Sequence, residues 1–310
     1  MNQNQKLVGL ILLAIAVTVM MLQNPEDSST RETEKALPDI ELAEVTSLTL
    51  ASRDQTVTVT KGAGGWQVAE KHDYPADFTV LSGFLTQLSE LTIAEGKTSK
   101  PENHSRLGVA DSGDGEGVRI TLQPGGQALV VGNELGGRGS FFRFAGEAQV
   151  YLSQQVLEMD LDPLAWIDPI VINIDSDSVR HVSIATANAG FLSASWDEES
   201  KALLINDIPE GEKLRYETIG DTLGRLLVNV RLLDVEPYMD GLFVDPTVTR
   251  MTRKNKGMIE AKTVQSGEEY WLHLSTEDAW QYRINDSTYR DLNKTMDDVL
   301  QVPEAEGGLQ

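Results

Sequence analysis

From Val45 onward the chain alternates between apolar and polar positions. Leu48-Thr49-Leu50 and Val57-Thr58-Val59 flank a polar turn at Ser52-Arg53-Asp54-Gln55. Gly62-Ala63-Gly64-Gly65 makes a second turn, and Trp66-Gln67-Val68 follows as a third strand. Period-two alternation punctuated by turn residues predicts an antiparallel meander. The period then changes. Pro75-Ala76-Asp77 opens a helix with Asp77 as its N-cap, and Val80, Leu81, Phe84, Leu85, Leu88 and Leu91 form its apolar face. Thr92-Ile93-Ala94 returns to strand, and a polar stretch from Gly96 to Arg106 leads to Leu107-Gly108-Val109. Strands resume at Val118–Leu122, Ala128–Val131, Phe141–Phe144 and Val150–Leu152, and a short helical turn reaches Leu164-Ala165-Trp166-Ile167-Asp168.

After Pro169 the same order of patterns returns. Val179–Ile184, Phe191–Trp196 and Ala202–Ile205 read as three strands. A helix is predicted over Tyr216 to Leu233, with Tyr216, Ile219, Leu223, Leu226, Leu227, Val230 and Leu233 on one side. Leu233–Glu236 echoes Thr92–Glu95 as the strand after the helix. Met258–Thr263, Tyr270–Leu274 and Trp280–Ile284 follow, and a closing helix runs from a Ser287 cap to Leu300. The repeat is one of pattern, with little identity, at a period of roughly 135–140 residues, longer than that of solenoid arrays. The fold class expected is α+β: an N-terminal transmembrane helix, then two repeated units of antiparallel strands with one packed helix each.

The N-terminal segment changes the picture most. Leu7 to Leu22 is apolar apart from Thr18 and carries no charge. A spanning helix needs about 20 apolar residues, so the run is slightly short, and Thr18, Gln23 and Asn24 extend it into the interface. Lys6 precedes it, and Glu26 and Asp27 follow. The positive-inside rule puts the N-terminus in the cytoplasm and the body outside. The competing reading is a cleaved signal peptide with Ala14-Ile15-Ala16 as its small-x-small site. Cleavage there would leave Val17–Leu22 as an apolar new start, so the uncleaved anchor is preferred. A lipoprotein anchor needs a cysteine, and there is none. The domain limits read from the chain are an anchor over 1–24, a linker over 25–40, one α+β unit over 41–168, a second over 169–303 and a tail over 304–310.

Composition narrows the functions. Among 310 residues, Asp plus Glu number 48 against 26 Lys plus Arg, for a net charge of -22. A field of that sign repels phosphates, so no nucleic-acid partner is expected. The acids are spread along the chain, which favours a solvated acidic surface over the binding of cations or a basic partner. Without cysteine there is no disulfide, thiolate metal site or thiol nucleophile.

A family resemblance emerges from the order of motifs. Gly65-Trp66-Gln67-Val68 is followed by Tyr74-Pro75-Ala76-Asp77 opening a Leu-rich helix. Then come Arg106-Leu107-Gly108-Val109, a strand ending Val131-Gly132, Phe141-Phe142-Arg143-Phe144, Val150-Tyr151-Leu152 and Trp166-Ile167-Asp168. Together they resemble the DUF4340 family of bacterial envelope proteins, most strongly from Trp66 to Asp168. The resemblance implies genomic neighbours that are ABC-type transporter components or a gliding-motility-like auxiliary protein. It brings no catalytic residues with it.

Individual motifs yield no chemistry. Gly132–Gly139 has the glycine spacing of a phosphate loop, but Arg138 and Gly139 stand where Lys and Ser or Thr are required, so it reads as a hairpin. Asp111–Gly117 resembles part of a calcium loop, but the twelfth position, Leu122, falls in a strand. His72, Asp73 and Asp77 are neighbours, yet Asp77 is better used as a cap. His104, His181 and His273 lack spacing partners, and His273 and Glu277 lie in strand and turn. No Ser sits in a nucleophile elbow, and Ser140 enters a strand. Glu198-Glu199 and Glu268-Glu269 lie in turns. Trp66, Trp166, Trp196, Trp271 and Trp280 could line a glycan or peptide groove, but core packing is the simpler reading. No catalytic, cofactor-binding or metal-ligating residue is assigned, and an enzyme is not expected. The expectation is a non-catalytic accessory or scaffold protein of the bacterial inner membrane. It is single-pass through Leu7 to Leu22, its body is periplasmic, and it is associated with an ABC-type transport system or gliding-motility-like subunits. The alternative is a periplasmic module binding a glycan, peptide or cation between the two units. A hydrolase assembled from distant residues is the third reading.

Overall fold

Strand β1 (Ser47–Ala51) pairs antiparallel with β2 (Thr56–Gly62), placing Leu48 opposite Val59 and Leu50 opposite Val57. Directly opposed residues share a face, and these four are buried while the threonines between them are not. The computed structural model describes residues 34–37, 43–124, 127–186 and 190–302. The apolar run Leu7 to Leu22, the tail 304–310 and most of the linker 25–40 lie outside the described residues. Among the described residues no helix is long and apolar enough to cross a membrane.

After β3 (Gly65–Val68) and β4 (Tyr74–Pro75), helix α1 (Phe78–Ser89) begins where the sequence puts it. The Asp77 carboxylate accepts from the amides of Thr79 at 2.7 Å and Val80 at 3.4 Å, satisfying donors that a first turn leaves open. Leu81, Phe84, Leu85 and Leu88 are buried, whereas Val80 is exposed. There follow β5 (Ile93–Thr98), a 3-10 turn at Pro101–Asn103, α2 (His104–Leu107), β6 (Val118–Gln123), β7 (Leu129–Glu134), β8 (Ser140–Phe144) and β9 (Val150–Ser153). The hydrogen-bonded order of this nine-stranded sheet is β4-β3-β2-β1-β6-β7-β8-β9-β5.

A 3-10 turn at Pro163–Trp166 precedes β10 (Ile170–Ile172), β11 (Val179–Thr186), β12 (Gly190–Asp197) and β13 (Ala202–Ile205). Helix α3 (Gly220–Leu223), β14 (Val230–Arg231), β15 (Asp234–Pro237), β16 (Thr247–Arg253), β17 (Gly257–Ser266), β18 (Glu269–Leu274), β19 (Trp280–Ile284) and α4 (Asp286–Leu292) complete the chain. Strands β10 and β14 form a two-stranded ribbon, and the others form an eight-stranded sheet ordered β13-β12-β11-β16-β17-β18-β19-β15. The class is α+β, rich in antiparallel sheet with few helices.

Contacts divide the chain into two compact units built from discontinuous segments. One holds Phe84–Arg119 and Gln127–Glu158 with the described residues up to Glu44; the other holds Val45–Gly83, the described part of 120–126, and the described residues from Met159 onward. In the first unit Val109, Val130, Phe141, Val150 and Leu152 form an apolar cluster. Arg143 stands beside it, only 1% exposed. Its Nε donates to the Val109 carbonyl at 2.7 Å, Nη1 to the Phe144 and Glu147 carbonyls, and Nη2 lies 2.7 Å from the Asp111 carboxylate. A buried cation is tolerated only when so engaged. Hydrogen bonding from Arg143, with the charges of Arg143 and Arg119, holds the Asp111 carboxyl below the usual carboxylate range. In the second unit Tyr74 meets Trp280 edge-on at 4.9 Å, and Lys71 pairs with Asp234 at 2.8 Å.

Three sequence expectations need correction. The helix expected over Tyr216 to Leu233 is a 3-10 turn at Glu217–Ile219 and the single turn of α3, followed by further turns and β14. Its apolar side is real, since Ile219, Leu223, Leu226, Leu227 and Val230 are buried. The run breaks at Thr218, which leaves the helical region with φ of -92° and ψ of 17°; Gly220 and Gly224 are required by close approach, since a Cβ at Gly220 would lie 1.9 Å from the Leu203 carbonyl oxygen and at Gly224 2.7 Å from Leu203 Cδ1. Asn229 then adopts a left-handed φ of 52°, which ends helical propagation. The closing helix is capped by Asn285, which accepts from the Thr288 amide at 2.8 Å, and it stops at Leu292; Met296–Asp298 is a separate 3-10 turn. Finally, β16 was not anticipated. Its buried side is Thr247, Thr249 and Met251, which does not read as apolar. Thr249 Oγ1 donates to the Leu292 carbonyl at 3.1 Å, so its hydroxyl is buried with a partner.

The close approach at Gly220 yields a stability prediction. Gly220→Ala should lower unfolding free energy by about 1–3 kcal/mol. Gly241→Ala, where a Cβ meets nothing within 4 Å, should change it by less than about 0.5 kcal/mol. Urea midpoints of the two variants measure the difference.

Candidate functional site: the outer face of the eight-stranded sheet

Ladder register determines which side chains emerge together. Leu204 of β13 stands opposite Ser195 of β12, Ser195 opposite His181 of β11, His181 opposite Thr252 of β16, and Thr252 opposite Met258 of β17. One row of five strands therefore shares one face. Ser183 and Ala185 lie on the same side of β11 as His181, facing Ser193 and Phe191. Thr249 and Thr263 lie on the opposite side, where they bond to the Leu292 carbonyl and to Asn293 at and after the end of α4. The face carrying His181 is the outer one.

Its centre is a closed polar network. Asn206 Nδ2 donates to Ser193 Oγ at 2.9 Å and Ser195 Oγ at 3.0 Å, using both amide hydrogens. Ser195 Oγ lies 3.1 Å from His181 Nδ1. Ser195 Oγ accepts from Asn206 and keeps both a second lone pair and its own hydrogen, so it bonds His181 Nδ1 in either tautomer of the ring. Beside this centre Arg250 Nε pairs with Glu260 at 2.8 Å, and Lys262 stands 3.9 Å from the same carboxylate. Around it project Phe191 at 56%, Met258 at 56% and Leu204 at 41% exposure. Farther along the sheet a turn at Asp240–Leu242 folds over the same face. There Phe243, Val264 and Trp271 cluster, and Tyr238 stacks on His273 at 3.9 Å. That end is covered; at the end formed by β11, β12 and β13 Phe191 and Leu204 are exposed, whereas Ser183 and Ser193 between them are buried.

The other residues singled out in the sequence are dispersed. Asp77 caps α1, and His72 and Asp73 occupy left-handed turn positions with φ of 56° and 62°. His104 Nε2 lies 2.9 Å from the Ala148 carbonyl, and His273 Nδ1 lies 2.9 Å from the Trp280 carbonyl. Asp111 is taken by Arg119 and Arg143. Ser140 Oγ accepts from the Leu157 amide, Glu198 pairs with Lys201, and Glu269 pairs with Arg283. Gly132–Gly139 links β7 to β8 as a hairpin. Trp166 and Trp271 are buried, Arg180 covers Trp196 at 4.4 Å, and Trp280 packs on Tyr74. Among the described residues no three His, Asp or Glu side chains converge as a metal set would.

The pair His181–Ser195 was not foreseen, because the residues stand fourteen apart and meet only through hairpin register. A nucleophilic serine needs a base that is itself oriented by a third group, and donors for an oxyanion. Among the described residues no carboxylate pairs with His181, and Ser195 sits mid-strand on a sheet face. The arrangement is an antiparallel-sheet surface with a satisfied polar centre and three exposed apolar side chains around it. The chain matches the family described as "Domain of unknown function (DUF4340)" over residues 66–254, more than half its length, and belongs to that family. No curated protein and no solved structure matches it.

Ser195 should not react with a fluorophosphonate under conditions that label serine hydrolases. Mass spectrometry of the treated chain checks this, and a phosphonylated Ser195 would restore the hydrolase reading.

Proposed function

We propose that the protein is a non-catalytic accessory or scaffold subunit of an ABC-type envelope transport assembly. It is held at the inner membrane by Leu7 to Leu22, with its body in the periplasm. We propose further that its two large sheets are a duplicated α+β unit. The strand orders β3-β2-β1-β6-β7-β8-β9-β5 and β13-β12-β11-β16-β17-β18-β19-β15 support that duplication. The anchor reading is supported by the uncharged apolar run after Lys6, and the transport association by the neighbours that the family resemblance implies.

The observation that carries the binding role is the exposure of Phe191, Met258 and Leu204 on one side of the sheet. Leu204 and Met258 end one row four strand spacings apart, roughly 19 Å, and Phe191 stands about 13 Å along the strands. The triangle they bound, roughly 120 Å², is under a fifth of the roughly 800 Å² each partner buries in a standard interface, so it marks a patch within a larger contact. Its three exposed apolar side chains supply separate anchor points around a polar centre.

Tagged full-length protein isolated in mild detergent should bring down a transporter component. The double variant Phe191→Glu with Met258→Glu should lose most of that recovery while unfolding at the same temperature. Recovery of no transporter component, or equal recovery with the variant, would contradict the proposal.

A further inference from the structure

A cleft of about 270 Å³ opens on the second unit, away from the sheet face. Thr222, Arg225, Leu226, Val228, Asn229 and Val230 line it from the segment after α3 starts, and Thr288, Asp291 and Lys294 from α4 and the residues after it. Its size lies just below the usual range for small-molecule pockets. Its floor is aliphatic, from Leu226 and Val230, both buried. Its rim carries hydrogen-bond donors: the Arg225 guanidinium, the Lys294 ammonium, the Asn229 amide and the Thr288 hydroxyl.

The charge balance is the informative part. The chain carries a net charge of -22, and several of its cations, among them Lys71, Arg143 and Arg283, pair with carboxylates. Lys294 pairs with Asp291, three residues before it on the same wall of the cleft, and the lining as a whole sets one carboxylate against two cations. Among the described residues the Arg225 side chain has no ion-pair or hydrogen-bond partner. A planar guanidinium in a polar cleft that also holds the aliphatic side chains of Leu226, Val228 and Val230 matches a carboxylate, which it binds through two parallel hydrogen bonds. We infer that this cleft binds the carboxylate of a small acid bearing a short branched aliphatic group, with Arg225 holding the carboxylate and Leu226 and Val230 the hydrocarbon. Asp291 opposes the ligand's charge and ties up Lys294, so it holds the affinity down. The inference does not depend on the scaffold role or on the sheet face.

The probes are N-acetyl-L-leucine and its uncharged amide, N-acetyl-L-leucinamide, titrated into the full chain and followed by ligand-detected NMR. For a ligand of this size, dissociation constants near about 1 mM are expected. The acid should bind at least about tenfold more tightly than the amide. Arg225→Gln should weaken the acid by about tenfold or more, and Asp291→Asn should tighten it several-fold. Opposite signs for these two substitutions are the discriminating result, because general damage to the cleft would weaken both. Thermal unfolding of each variant at the parent's temperature excludes loss of fold. No saturable binding of the acid, equal binding of acid and amide, or weakening by Asp291→Asn would overturn the inference.

Discussion

The register of β11 against β12 and β16 is the constraint on which the functional reading rests. In an antiparallel ladder a slip of one residue sends every side chain to the opposite face. Here register sends Val182, Ile184, Leu192 and Ala194 inward, where all four are buried. It leaves His181, Ser183, Ser193 and Ser195 outward. Burying four aliphatic groups at about 1.5–3 kcal/mol for each large one makes the slipped alternative costly. The outer surface is therefore determined by what the inner one must hide. Phe191, Leu204 and Met258 share a face because their ladder partners do, and not because they are near in sequence.

The same economy governs polar groups elsewhere. A chain without cysteine cannot staple its loops, so loops are fixed by hydrogen bonds to backbone carbonyls. Arg143 holds the segment around Val109 and the Phe144–Glu147 turn at once. Ser153 Oγ accepts from the Ser140 amide and lies within bonding distance of the Ser140 and Gln155 carbonyls. Asn285 and Asp77 cap helices. The residues behind the family resemblance fall into this pattern. The Asp77 amide donates to the Trp166 carbonyl at 2.8 Å, and the Ala76 amide to the Trp66 carbonyl at 2.8 Å. Their role in the second unit is to join backbone to backbone.

Strands with apolar alternation were legible from the sequence, as were the Asp77 cap and the glycine hairpin before Ser140. What escaped was of three kinds. Strand β16 hides threonines whose hydroxyls find partners, so its inward side looks polar. The Tyr216–Leu233 pattern has helical spacing, but Thr218 and Asn229 leave the helical region, and the chain folds as turns that bury the same side chains. The outer face depended on pairing: His181 has no partner by spacing, and only the ladder brings Ser195 and Asn206 to it. Local period is written in the sequence, whereas cross-strand neighbours come from long-range register.

Absence of cysteine makes the central claim directly measurable, because any introduced thiol is unique. Phe191→Cys and Met258→Cys place thiols on the outer face, and Glu199→Cys places one in the exposed turn after β12. A membrane-impermeant maleimide should label all three equally in purified protein. In spheroplasts it should label Glu199→Cys promptly and the other two several-fold more slowly, because a partner covers them. Labelling of Phe191→Cys and Met258→Cys as fast as Glu199→Cys in spheroplasts would contradict a docking face, and a Glu199→Cys thiol reachable only after lysis would contradict a body outside the cytoplasm.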